Sequence, residues 1–105
     1  MLAYRCVVTD PPTSADFLTY HELGKRVSLK ARCDACGLSI MGSMEDAIHL
    51  LEAIPGVYKH VARAKLMPDH GMTKPTPIGQ YPTHISWWSY LGIDRCGLFS
   101  IIMVS

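Results

Sequence analysis

Apolar and polar side chains alternate strictly from Val57 to Leu66, with Tyr58, His60, Ala62, Ala64 and Leu66 on one side and Val57, Lys59, Val61, Arg63 and Lys65 on the other. That alternation predicts a strand with one cationic face. Leu2 to Thr9 is rich in β-favouring residues and reads as another strand, presenting Leu2, Tyr4, Cys6 and Val8 one way and Arg5, Val7 and Thr9 the other. Asp10-Pro11-Pro12 ends it. Ser14 and Asp16 then supply a cap and a first-turn acid for a helix reaching about Gly24, with Phe17, Leu18, His21 and Tyr20 as its buried stripe.

Val27 to Arg32 alternates again, and Cys33-Asp34-Ala35-Cys36-Gly37 makes a tight turn before Leu38-Ser39-Ile40-Met41, which suggests a hairpin around a knuckle. The clearest helix follows. Ser43 is its N-cap, Glu45 and Asp46 occupy the first turn, Met44, Ala47, Ile48 and Leu51 form the apolar stripe, and Pro55-Gly56 stops it. Met67 to Thr83 carries Pro68, Pro75, Pro77 and Pro82 with Gly71 and Gly79, so it reads as a long irregular loop at about 67–83, of the kind usually tied to function or disorder. His84 to Tyr90 returns to strand composition. Gly97 to Val104 is almost continuously hydrophobic, as befits a strand covered on both faces. The order predicts a single α+β domain over 1–105, with a small mixed or mainly antiparallel sheet of about five strands and two helices packed on one side.

The chain has 105 residues, 49% of them hydrophobic, enough to close one core. Ten Lys and Arg against nine Asp and Glu leave a formal charge of +1, which excludes a protein that coats nucleic acid by charge alone. No stretch approaches the roughly 18 to 20 apolar residues of a membrane span, and Met1 to Arg5 lacks the apolar core of a signal peptide. A cytoplasmic location is therefore expected. There stable disulfides are disfavoured, and Cys6, Cys33, Cys36 and Cys96 read as free thiols or metal ligands.

Cys33-x-x-Cys36 followed by Gly37 puts two sulfurs on one turn, where both can reach a tetrahedral ion, and these five residues resemble half of a zinc knuckle or zinc ribbon. The resemblance implies a structural zinc completed by Cys6 and Cys96, or by two of His21, His49, His60, His70 and His84. Core packing is the competing account of Cys6, which lies in an apolar strand. Redox catalysis would want the pair at a helix start, yet the next clear helix begins only at Ser43.

Two surfaces compete as binding sites. Lys59, Arg63 and Lys65 share a strand face that Lys25, Arg26, Lys30 and Arg32 extend, a pattern suited to phosphates of a nucleic acid or to plain solvation. The segment from His84 to Tyr90 holds Trp87, Trp88 and Tyr90, which can anchor a protein partner or fill the core. No phosphate loop, metalloprotease motif or nucleophile elbow occurs. His84 with Ser86 is a minimal acid–base pair, and His84 with Lys65 or Arg63 would suit a metal-free RNase. Arg5 on the first strand would suit nucleotide transfer, but that chemistry also wants a late Glu and none follows Glu52. The sequence thus favours a small interaction domain of the inhibitor, adaptor or toxin–antitoxin kind over an enzyme, with a protein as partner and nucleic acid as the alternative.

Overall fold

The computed structural model describes residues 1–24 and 36–104, over which the alternating segments pair into one antiparallel, six-stranded sheet. In chain order the strands are β1 (Leu2–Val7), β2 (Leu38–Met41), β3 (His60–Lys65), β4 (Gly71–Pro75), β5 (His84–Ser89) and β6 (Ser100–Val104). Across the sheet they run β4-β5-β2-β1-β3-β6. β1 and β3 pair along their whole length, from Leu2 opposite Lys65 to Val7 opposite His60, which sets the alternation of both strands against two different layers.

On one face lie Cys6, Met41 and Val61, covered by Ala47 and Leu51 of the single described α-helix, α1 (Met44–Ala53). The helix starts where the cap chemistry dictates: the Ser43 hydroxyl accepts from the Asp46 amide at 3.2 Å. Asp46 in turn accepts from the Thr83 amide at 2.9 Å and the Thr83 hydroxyl at 2.5 Å, tying the helix start to the entry of β5. The opposite face carries Ala3, Val7, Leu38, Ile40, Ala62, Ala64 and Trp87, with Phe17 and Phe99 as its cover. The fold is therefore α+β, and no described helix is long and apolar enough to cross a membrane.

Several expectations change. The helix expected from Ser14 to Gly24 is a short 3-10 turn at Ser14–Phe17, so one α-helix is described in place of two and the second face is closed by turns. Phe17 is buried, but Tyr20 and His21 are exposed because no continuing helix turns them inward. The expected loop at about 67–83 contains β4, paired with β5 from Gly71 opposite Ser89 to Pro75 opposite Ile85. Its proline hid it from the sequence, since proline is tolerated on an edge strand but argues against a central one. Gly71 is needed there. Its φ is 147°, and a Cβ would collide with the Trp88 carbonyl and sit 2.7 Å from Trp87 Nε1. β6 starts only at Ser100, after a 3-10 turn at Cys96–Leu98, and lies at a sheet edge with Ile101 to Met103 half-buried. The expected strand Val27 to Arg32 lies outside the described residues.

Candidate functional site

The sheet is most thinly paired at its centre. β1 and β2 are neighbours, yet among the described residues they pair only at Tyr4 opposite Met41. Beyond that pair the strands part, and Arg5 lies at the split. Arg5 follows Tyr4 on β1 and shares its face with Ala3 and Val7, both buried, so the alternation directs a cation toward an apolar layer. There Nη1 donates to the Ser39 carbonyl at 2.6 Å and Nε to the Asp16 carbonyl at 2.9 Å, while the guanidinium carbon sits 5.7 Å from the centre of the Phe17 ring.

Two hollows adjoin this split. The larger, about 370 Å³, is walled by Tyr4, Met41, Leu50, Ile54, Tyr81 and His84; the smaller, about 100 Å³, by Leu18, Thr19, Gly37 and Leu38. Arg5, Tyr20, Ser39 and Tyr58 line both. No carboxylate of a described residue forms an ion pair with Arg5, and the single ion pair among those residues joins Arg95 to Glu22. Burial pulls the Arg5 pKa below its ordinary value, outweighing the opposing pull of Tyr58, Cys6, Asp16 and Tyr20.

Two groups beside the hollow define its chemistry by what they are already committed to. The Cys6 thiol donates to the Ala47 carbonyl at 3.1 Å, and burial pushes its pKa up to about 11, so the reactive thiolate is suppressed. His84 is only 7% exposed. Its Nδ1 lies 2.8 Å from the Thr76 carbonyl, which can only accept, so Nδ1 holds the proton and Nε2 the lone pair. Burial lowers the His84 pKa and keeps the ring neutral at pH 7. The Thr76 hydroxyl is 3.0 Å from the same Nδ1 and 2.9 Å from the Ser86 hydroxyl. His84 and Ser86 are thus joined, through a threonine that no pattern in the sequence singled out.

The other expected residues are dispersed. Trp87 is 1% exposed and packs in the core with Phe99, 6.2 Å between ring centres, so it corrects the expectation of a partner anchor: a buried indole offers no surface. Trp88 is half-buried on the opposite face, paired with Met72, and Tyr90 is exposed just past β5. Lys59, Arg63 and Lys65 are exposed, with Val61 between them buried beneath α1. Arg63 stands opposite Tyr4, Tyr4 opposite Met41 and Met41 opposite His84, which separates the Arg63 and His84 backbones by roughly 14 Å at ordinary strand spacing.

Of the cysteines, Cys36 is exposed, Cys96 donates to Asp94 Oδ1 at 3.2 Å, and Cys6 is buried under α1. Cys33, Lys25, Arg26, Lys30 and Arg32 lie outside the described residues. Among those described, no cluster of three or more His, Cys, Asp or Glu is placed to hold a metal ion.

A third hollow, about 520 Å³, lies between Phe17, Leu18 and Glu22 and the segment Ser89 to Cys96. It is larger, but its charges are spent on one another. Arg95 donates to Glu22 at 2.6 Å, to the Phe17 carbonyl at 2.7 Å and to the Ser89 hydroxyl at 2.8 Å, while Asp94 accepts from Cys96 and from the Gly97 amide. The Arg5 hollow differs because its cation has no carboxylate partner among the described residues. The sequence offered Arg5 only as a first-strand arginine for nucleotide transfer, and the tyrosines around it did not stand out; an arginine flanked by two inward-facing apolar residues on a strand is the legible signal. No family model, curated protein or solved structure matches the chain.

Proposed function

We propose that the protein is a binding domain that takes a small ligand with an aromatic or branched apolar body into the hollow between Tyr4, Tyr58, Tyr81, Leu50 and Ile54. The observation that carries this reading is the composition of the hollow itself. At about 370 Å³ it falls in the ordinary range for small-molecule sites, and its walls are aromatic and aliphatic with a few convergent polar groups. Tyr81 is braced by His49, with ring centres 5.1 Å apart. An enzyme is the weaker reading, because the thiol is held protonated and the neutral histidine is joined to threonine and serine without a carboxylate to raise its basicity.

The test is a titration of the isotopically labelled chain with p-cresol and indole, followed by NMR. Saturable shifts at Tyr4, Tyr58 and Tyr81, lost in Tyr81→Ala while the remaining spectrum stays folded, are the expected result. Shifts confined to Tyr90 through Arg95, or no saturable shifts, would overturn it. A second reading rests on Leu91, which is wholly exposed beside the exposed Tyr90 and gives a protein partner an apolar tip. Shifts confined to that tip would favour it.

A further inference from the structure

We infer that the ligand of this hollow carries a carboxylate, and that Arg5 receives it. The inference rests on the binding role proposed above and adds the chemistry of the ligand's polar end. A partly buried guanidinium is stable in a fold when a carboxylate or several acceptors satisfy it. Arg5 has two main-chain carbonyls, from Ser39 and Asp16, and no carboxylate among the described residues. A guanidinium has more donors than those two bonds use, and Nη2 makes no hydrogen bond to a described residue.

The two bonds do more than leave donors over. They fix the plane of the guanidinium from two separate segments, so the edge that bonds to no described residue is held in place before a ligand arrives. Such an edge matches the planar, two-oxygen geometry of a carboxylate. Tyr58 lines both hollows with Arg5, which places a phenol beside the charge as a further donor. The apolar walls at Met41, Leu50 and Ile54 then take the body of the same molecule. One cation flanked by phenols suits a singly charged acid; a phosphate, with up to two charges, would draw on more than one basic group.

The experiment compares phenylacetate, phenylacetamide and inorganic phosphate as NMR titrants of the full chain, observing the Arg5 side-chain Nε–H and the backbone amides of Tyr4, Tyr58 and Tyr81. Phenylacetate is expected to shift both sets saturably, with phenylacetamide about tenfold weaker and phosphate weaker still. Tyr58→Phe, which keeps the ring, should weaken the acid more than the amide; Arg5→Lys should weaken the acid further. Equal binding of acid and amide would overturn the carboxylate inference while leaving the hollow as a binding site. Phosphate binding as tightly as phenylacetate would overturn it in favour of an inorganic-anion site. If no titrant moves either set, both the inference and the underlying binding role fall.

Discussion

The two arginines that clamp the first 3-10 turn make an instructive pair. Arg5 donates to the carbonyl of Asp16 and Arg95 to the carbonyl of the next residue, Phe17, so one short turn is held from two sides by cations brought from opposite ends of the chain. Arg95 also has Glu22 and the Ser89 hydroxyl, and its loop closes on itself through Asp94. Arg5 has carbonyls only among the described residues. A cation whose acceptors include a carboxylate of its own fold is explained by structure. A cation that the fold dehydrates and that forms no ion pair among the described residues leaves room for an acceptor that arrives later. The charges of the 520 Å³ hollow are thus accounted for by the architecture, whereas those of the 370 Å³ hollow are what the proposed binding role addresses.

The largest effect expected on this comparison comes from the core beneath Arg95. Phe99 follows the turn at Cys96–Leu98 and packs against Phe17 with ring centres 4.9 Å apart and against Trp87 at 6.2 Å. Phe99→Ala should cost about 3 to 5 kcal/mol in chemical unfolding, because a buried ring is lost where three elements meet and the cavity cannot fully collapse. A cost below about 1 kcal/mol would mean that the loop carrying Arg95 is loosely seated, and the structural reading of its charges would fail.

A smaller effect is expected from the ion pair. Hydrogen bonds from Arg95 and from the Thr19 amide hold the Glu22 carboxyl near a pKa of about 2, against an ordinary 4.5. A carboxylate depressed in this way stabilises the fold above its unfolded pKa, and that contribution is lost as pH falls through the folded value, here between about 4.5 and 2. The pair is partly exposed, so solvent screening keeps the contribution modest. The urea midpoint should fall over that window, and Glu22→Gln should flatten part of the fall. Asp16 supplies another part: burial opposes its ionisation, but the Thr13 and Val8 amides and the Thr9 hydroxyl outweigh it. An unchanged slope in Glu22→Gln would show that Arg95 draws little from its acid.

The sequence made some of this architecture legible and concealed the rest for physical reasons. β1, β3, β5 and α1 were readable because alternation and capping are local: Ser43, Glu45 and Asp46 announce a helix wherever they stand before an apolar stripe. β4 was concealed because an edge strand exposed on both sides has no apolar alternation to display. Ser14 and Asp16 promised a helix, but Asp16 turns its carboxylate back to Thr9, Val8 and Thr13, and the chain leaves the turn at Leu18 in extended geometry. The candidate site was concealed for a different reason. The split between β1 and β2 depends on which strands become neighbours, and Tyr4, Tyr58 and Tyr81 meet only after β1, β2, β3 and β5 have taken their order. What was legible was Arg5 itself, set between Ala3 and Val7.

The smallest stability effect is expected at Arg5, and its smallness is what would sharpen the comparison most. Arg5→Met keeps a long unbranched stem against Phe17 and removes the charge. The loss comprises two charged hydrogen bonds, each worth about 1.5 to 3 kcal/mol, together with the cation–π contact at about 0.5 to 1 kcal/mol. Against it stands the desolvation of a cation with no ion pair among the described residues, a cost of several kcal/mol that the variant no longer bears. The opposing amounts are of similar size, so the unfolding free energy should change by no more than about 1 kcal/mol in either direction. A loss of 3 kcal/mol or more would place Arg5 with Arg95 among the cations that hold the turn in position, and the reason for seeking an acid in the hollow would disappear. A near-neutral change would mean that the fold retains, at its centre, a charge it does not need for stability.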